Sequence, residues 1–419
     1  MKSLGSKVFL EFKNERKEQS MKQLGKIIAL VGILSLLPLS SFADGSMSYK
    51  DGFMFKNEEE TFKLKTYGRL QQRFFYKKND TGTKQLSFRI RRAELRFKAS
   101  VHDKMSFVLG LRHATNSADF AGLNVTAVTG TYAFDPKFAV TAGMVGLPLD
   151  LMNETSSSAY LLPEPAITHT QNDSSTALTA ARSSFGVPDG LGVNFSGDIS
   201  KFFYSASVVN AAESNYTLNG NRRMSFGARV GMNILDAVGG SLTDFACSKK
   251  PQLTVSFGGM FQGKRSDTAF KSAFDDVNGV TTGVAPVIKN IMTGSGGVGY
   301  RYAGLSLQGE AYYRRTKFTS FGSLPAELRD ASLIDSGYYG AAGYYIIPKK
   351  FEVAGQAGQI FREGADNDSV QFGGGVNWYI HDNNLKLQLA YTWAEIYNDI
   401  VGGKNNNQHE ATLNLHAAF

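Results

Sequence analysis

Residues 86–98 read LSFRIRRAELRFK. Leu86, Phe88 and Ile90 alternate with Ser87, Arg89 and Arg91, the two-residue period of a strand with one apolar face. Ala93, Leu95 and Phe97 alternate in the same way with Arg92, Glu94, Arg96 and Lys98. The two halves are out of phase by one residue, and the slip falls between Arg91 and Arg92. A β-bulge there gives one strand a continuous apolar face and turns both arginines to the other side. In a soluble protein the apolar face would need a second layer. If the alternation recurs through the chain without such a layer, the apolar faces meet lipid and the charges line a water-filled lumen.

The alternation recurs on both sides of this stretch. In residues 62–76, Phe62, Leu64 and Leu70 oppose Lys63, Lys65, Arg69, Gln71 and Arg73. In residues 104–113, Met105, Phe107, Leu109 and Leu111 oppose Ser106, Gly110 and Arg112. Further β-rich runs lie near 124–134, 137–145, 182–196, 201–210, 223–233, 251–263, 296–303, 304–316, 337–346, 350–361, 369–380, 384–395 and 410–419. With 86–99, that makes sixteen, each about the span of a tilted membrane strand. The expected fold is all-β, a transmembrane antiparallel barrel of 16 strands without edges.

Connections alternate between long and short, as external loops and periplasmic turns do. Long ones are expected at 77–85, 114–123, 146–181, 211–222, 264–295, 317–336 and 396–409. The connection at 234–250 falls on the short-turn side yet is long, and the one at 303–304 is nearly absent. Aromatic doublets such as Phe74-Phe75-Tyr76, Phe202-Phe203-Tyr204, Tyr312-Tyr313, Tyr338-Tyr339, Tyr344-Tyr345 and Trp378-Tyr379 read as headgroup girdles.

Upstream, Met21 opens a secretory leader: a positive stretch, an apolar run at 27–39, and the small-x-small site Ser41-Phe42-Ala43. The apolar run is too short to span a bilayer as a helix. The expected organisation is a mis-called start or extended leader at 1–20, a signal peptide at 21–43, a short periplasmic segment at 44–61, and the barrel at 62–419, with an inward-folding loop at 146–181. No plug-sized segment is expected before the first strand.

The composition is consistent with this reading. Of 419 residues, 44 are glycine and 12% aromatic against only 10 prolines, which suits strands joined by turns. Mean hydropathy is slightly negative, which argues against a helical membrane protein. The formal net charge is +8, half of it in residues 1–43, too mild a remainder to point to nucleic acid. The single cysteine, Cys247, excludes an internal disulfide and reads as a small side chain in a turn. The six histidines show no metal-ligand spacing, so neither metal nor cofactor is expected.

Several motifs resemble the phosphate-selective porin O/P family: FKLKTYGRLQQRFFY at 62–76, FRIRRAELRF at 88–97, GMVGLPLDLMNETSSS at 143–158, GGVNWY at 374–379 and the strand at 386–391. The terminal Phe419, closing the face of Leu413, Leu415 and Ala417, is similar to the assembly signal of outer-membrane barrels. The resemblance implies a Gram-negative outer-membrane porin, usually a homotrimer in outer-membrane lipid, with loops folded inward. It places an anion site at Arg69, Arg91 and Arg92 with Ser156 or Ser157. There, guanidinium forks would replace the water that a phosphate-like anion sheds. Lys63, Lys65, Arg73, Arg89 and Arg96 are then lumen-lining basic residues.

The sequence also departs from the family pattern. Glu94 stands where a tyrosine is expected, Asn153 where a lysine is, and Asn124 where an acid is. The basic fifth loop has no counterpart at 270–288. The expected function is passive diffusion of small hydrophilic solutes, anions preferred, with no enzymatic activity. Alternatives are a weakly selective pore whose arginines pair with acids such as Glu94 and Glu154, or a surface adhesin working through 146–181 and 264–295. A lipid hydrolase would need a histidine and a serine side by side on the outer face, but the phase turns His416 inward and His113 falls at a strand end.

Overall fold

The computed structural model describes residues 45–49, 51–80, 82, 84–113, 123–169, 185–186, 189–210, 224–265, 288–318, 332–363, 368–396 and 406–419. The expected leader at 1–43 and nearly all of 270–288 lie outside these residues.

All sixteen expected strands are present, preceded by two short ones. The short pair is β1 (Ser46–Tyr49) and β2 (Phe53–Lys56). The first half of the ring is β3 (Phe62–Asn79), β4 (Lys84–Val101), β5 (Met105–His113), β6 (Leu123–Asp135), β7 (Phe138–Gly146), β8 (Asp189–Ile199), β9 (Phe202–Asn210) and β10 (Met224–Asn233). The second half is β11 (Gln252–Arg265), β12 (Ile288–Tyr302), β13 (Leu305–Phe318), β14 (Ser332–Ile347), β15 (Phe351–Arg362), β16 (Ser369–His381), β17 (Leu385–Ile396) and β18 (Asn406–Ala418). Each of β3 to β18 pairs antiparallel with the next. β18 returns to β3, from Gln408↔Asn79 to Ala418↔Arg69, and closes the ring.

At the seam, Phe419 exchanges both backbone hydrogen bonds with Gly68, each 3.0 Å. Below that point β18 has run out, and β2 takes over the edge of β3 from Thr66 to Lys63. Within the segment expected as a short periplasmic stretch (44–61), β1 and β2 form a hairpin. It pairs backbone that would otherwise be an open edge.

The expected bulge is in β4. Gln71 pairs with Arg92 and Gln72 with Ile90, which leaves Arg91 as the extra residue. Leu86 (65% exposed) and Phe88 (71%) look outward, whereas Arg92 (6%) and Glu94 (7%) are buried on the inner side. Phe74 and Phe88 pack ring to ring across the strands on that outer face, with centroids 4.6 Å apart.

The aromatic doublets correct the sequence reading. Tyr313, Tyr338, Tyr344 and Trp378 face outward, about half exposed, but their neighbours Tyr312, Tyr339, Tyr345 and Tyr379 are buried inside the barrel. Adjacent strand residues point to opposite faces, so a doublet cannot put both rings in one girdle. The inward member of each doublet holds the segments that fill the lumen.

Some boundaries also differ from expectation. β3 and β4 continue to Lys78↔Lys84, so the connection expected at 77–85 is only a short turn. Polar residues there pair as strand beyond the apolar band, which the apolar alternation does not register. β12 starts at Ile288 rather than 296, because Gly294, Gly296 and Gly297 hide its alternation. Ala303 (φ 51°) and Gly304 (φ 84°) make the two-residue turn between β12 and β13, both in the left-handed region that such hairpins require.

The long connection between β10 and β11 folds up into the lumen. Leu242, Thr243 and Asp244 in it are buried, and the Leu242 amide donates to Ala159 O at 3.1 Å. Phe245 packs against Tyr345 and Tyr379 with ring centroids 6.1 and 5.4 Å apart. Cys247 is a free thiol in this turn-rich segment.

Candidate pore constriction

Residues 147–169, which follow β7, run across the lumen. They start against the β10–β12 wall, where Ser295 Oγ donates to Leu149 O at 2.6 Å. A Cβ on Gly258 would lie 1.8 Å from Leu149 O, so glycine is what lets this loop rest on the wall. Next comes the single-turn α1 (Leu151–Glu154), capped by Asp150, whose Oδ1 accepts from the Asn153 amide at 2.7 Å. Its Leu151 and Met152 amides have no partner within the turn. Both donate to Glu310 of β13, at 2.7 and 3.1 Å. Tyr312 and Tyr339 donate to the same carboxylate.

The far end of the loop returns to its start. His169 Nε2 lies 3.0 Å from Asp150 Oδ2, and His169 Nδ1 lies 3.1 Å from Thr168 Oγ1. Burial works to lower the His169 pKa, but the Asp150 charge, its hydrogen bond and Glu310 outweigh burial and raise it. Between the two ends, Met152, Leu161, Ala166, Ile167, Phe185 and Leu242 form an apolar cluster inside the barrel. Lys386 Nζ donates to Ser158 O at 2.6 Å and Asn377 Nδ2 to Leu161 O at 2.9 Å. The loop is thus fixed to the β13–β17 half of the wall, and its other edge faces β3 to β10.

The arginines stand along that other edge, gathered around two carboxylates. Glu94 accepts from Arg69 (2.7 Å) and Arg112, and Arg96 lies 3.8 Å away. Glu164 of the loop accepts from Arg73 Nη1 and Arg91 Nε, both at 2.7 Å, with Arg89 at 3.9 Å. Burial works to raise the Glu164 pKa, but Arg73, Arg91 and Arg92 hold it well below the usual carboxylate range. Arg92 lies between the two groups and donates to Gln71 Oε1 at 2.8 Å. Arg73 and Arg89 are direct cross-strand partners, as are Lys65 and Lys98. Like charges placed opposite each other destabilise a sheet, so this basic stripe does not arise from strand pairing.

The structure brings Arg69, Arg91, Arg92 and Ser156 to one side of the loop. Arg69 Nη1 donates to Ser156 Oγ at 3.3 Å. Ser157 begins the following short 3-10 turn and is half-buried. Arg73, Arg89 and Arg96 belong to the same cluster. Lys63 does not: it lies near the periplasmic turn, 2.9 Å from Asp103. Lys65 is between, with its ammonium 5.7 Å from the Tyr67 ring. Glu154, expected as a partner for this stripe, pairs instead with Arg229 of β10. Burial is the main cause of its raised pKa.

Glu164, Arg112, Arg229 and the Asp150–His169 clamp were not singled out from sequence. Arg112 carried a signal in its inward phase. Glu164 had none, because it acts through a loop whose path the local pattern does not fix. Further round the ring, β6 to β9 carry hydroxyl and amide groups. Thr131 and Thr141 hydroxyls are 2.9 Å apart, and Asn194 Nδ2 donates to Ser205 and Ser207 at 2.8 Å each.

The chain matches the family described as phosphate-selective porin O and P over residues 64–415. No curated protein matches it. Among solved structures it is similar to an anion-selective porin from Comamonas acidovorans, with 12% identity and a TM-score of 0.59 over 85% of this chain and 100% of that one. It is also similar to the outer membrane channel DcaP of Acinetobacter baumannii, with 12% identity and a TM-score of 0.56 over 87% and 99%. The trimer form of in-vitro folded OmpT of Vibrio cholerae matches with 12% identity and a TM-score of 0.54 over 85% and 99%. At such identities the structures speak for the fold, and the family match, which spans most of the chain, adds the rest. The chain belongs to the phosphate-selective porin O and P family and is an outer-membrane β-barrel channel of the Gram-negative type.

Proposed function

We propose that the channel passes small hydrophilic solutes by diffusion and prefers small oxyanions, phosphate among them. Selection would occur at Arg69, Arg91, Arg92 and Ser156, with Ser157 beside them. One observation carries this reading: among the described residues, seven arginines (69, 73, 89, 91, 92, 96 and 112) gather around two carboxylates, Glu94 and Glu164. The excess positive charge in a low-dielectric-walled passage concentrates anions. The hydroxyl and amide groups of β6 to β9 supply uncharged donors elsewhere in the lumen, which suits binding weak enough for the ion to leave. Lys65 and Lys63 extend the basic stripe toward the periplasm.

A weakly selective pore is the second reading, favoured by Glu94 and Glu164 within the cluster. The trimer form of OmpT supports a homotrimer for this chain, its exposed apolar belt meeting outer-membrane lipid and neighbouring copies. The deciding experiment is the reversal potential of the purified protein in a planar bilayer under a KCl gradient, with and without millimolar phosphate. An anion-selective current that phosphate blocks is the expected result. A current without selectivity and indifferent to phosphate would favour the second reading.

A further inference from the structure

The two carboxylates in the arginine cluster are not equivalent. Glu94 lies on a strand and its side chain is 2% exposed, sealed between Arg69 and Arg112. Glu164 lies on the crossing loop and its side chain is 25% exposed, as is that of Arg89 beside it. Glu164 is therefore partly open to the lumen, and by register the Arg73–Arg89 pair lies nearer than Arg69 to the Lys78–Lys84 end of β3 and β4, opposite the periplasmic turn at Asp103.

The geometry around Glu164 is that of a bound anion. Arg91 holds it as a fork, Nε to Oε1 at 2.7 Å and Nη2 to Oε2 at 3.3 Å. Arg73 Nη1 reaches Oε1 at 2.7 Å while its Nη2 donates to Pro163 O at 3.1 Å. Arg89 Nη2 stands 3.9 Å from Oε1, beyond a hydrogen bond, with its guanidinium 5.4 Å from the Phe75 ring centroid. Three guanidinium groups thus converge on one carboxylate. Such a fork matches the planar two-oxygen group of a carboxylate.

We propose that Arg73, Arg89 and Arg91 form a carboxylate-binding station on the extracellular side of the constriction. The Glu164 carboxylate is its resident ligand, and small organic carboxylates pass by exchanging with it. The resident group keeps the station weak, so that solute is handed on toward Arg92 and Arg69 rather than retained. The loop need not unfold for this, because its other ties (Glu310, Lys386, Asn377 and the apolar cluster) do not involve Glu164. The proposal rests on the reading of this lumen as an anion path.

The test is block of chloride current by succinate in wild type, Glu164→Gln, and Glu164→Gln with Arg89→Ala. Glutamine keeps the size of the side chain and removes the competing charge. In Glu164→Gln, half-block is expected at about a tenfold lower succinate concentration, and adding Arg89→Ala is expected to reverse the gain. Unchanged or weaker block in Glu164→Gln would overturn the proposal. So would a large rise in conductance without a change in block, which would make Glu164 a loop anchor alone. Loss of anion preference in the wild type would instead count against the anion-path reading, so the two failures are read from different channels.

Discussion

Arg91, the extra residue of the β4 bulge, meets Glu164 of the crossing loop, 73 residues further along, with Nε 2.7 Å from Oε1. A local irregularity in one strand and the path of a distant loop therefore meet at one contact. The bulge turns two consecutive arginines inward, one toward the loop and one toward Gln71 of the neighbouring strand. A regular strand would have sent one of them into lipid.

Deleting Arg91 should leave the barrel intact. Without it, residues 86–98 alternate cleanly, and Ala93, Leu95 and Phe97 stay on the outer face. Deleting Ala93 instead should impair folding, because either Arg92 or Glu94 must then face lipid, which for an arginine near the midplane costs about 2–4 kcal/mol. Gel mobility before and after heating of the two refolded variants would separate these outcomes.

Arg91→Ala together with Arg92→Ala should shift the reversal potential toward zero in a KCl gradient. The double change removes two of the positive groups nearest the crossing loop and leaves Glu94 and Glu164 in place. If the pair contributed only to packing, conductance would change and the ion preference would not.

The connection between β10 and β11 narrows the lumen from the periplasmic side. Replacing residues 237–249 with an Asn-Gly turn should raise single-channel conductance. The segment contributes Leu242 to the loop's apolar cluster and hydrogen-bonds Ala159 O, so open-channel noise should rise as well. A quiet channel of unchanged conductance would show that the segment lies outside the ion path and leaves the loop's position unaffected.

Gly258→Ala should displace the start of the crossing loop, since the added Cβ would fall 1.8 Å from Leu149 O. Neither atom belongs to a flexible side-chain end, so the loop must move away from the wall. Wider scatter in conductance levels is expected, and a cysteine-accessibility label at position 147 should react faster than in the glycine protein.

The Asp150–His169 clamp should make the loop's hold depend on pH. The His169 pKa in the folded protein is raised above its ordinary value of about 6.5. The added stability is therefore fully present below about pH 6.5 and is lost as pH rises through the folded value. Glu310, Tyr312 and Tyr339 face the same imidazole, and Thr168 is hydrogen-bonded to it. Spontaneous closures should become more frequent as pH rises above about 6.5 in the wild type. That dependence should be absent in His169→Gln.

Much of this was legible in the sequence because it is local. Strand phase follows from a two-residue period, and the one-residue slip at Arg91–Arg92 required a bulge whatever the fold. The inward face of Arg69, Arg73, Arg89 and Arg96 follows from the same counting. Strand ends were less legible. At Lys77, Lys78 and Lys84 the pairing continues through polar residues, and in β12 three glycines blank the pattern.

The aromatic doublets show the limit of reading residues by type. Tyr338 and Tyr339 look alike in sequence, yet one faces lipid and the other donates to Glu310 beneath the loop. Their alternation was available, but what the inner ring would touch was not.

The sequence by itself determined the barrel, the face of the clearly alternating strands, and the pair of arginines at the slip. Each of these depends on neighbours one or two positions away, and lipid outside with water inside leaves a strand one acceptable orientation. Only the tertiary structure decided which carboxylate meets which arginine. Glu94 is opposite Arg69 by register, whereas Glu164 reaches Arg73 and Arg91 because Glu310, Lys386, Asn377 and Leu242 fix the course of a loop between distant strands. Those contacts join residues far apart in the chain, and no periodicity encodes them.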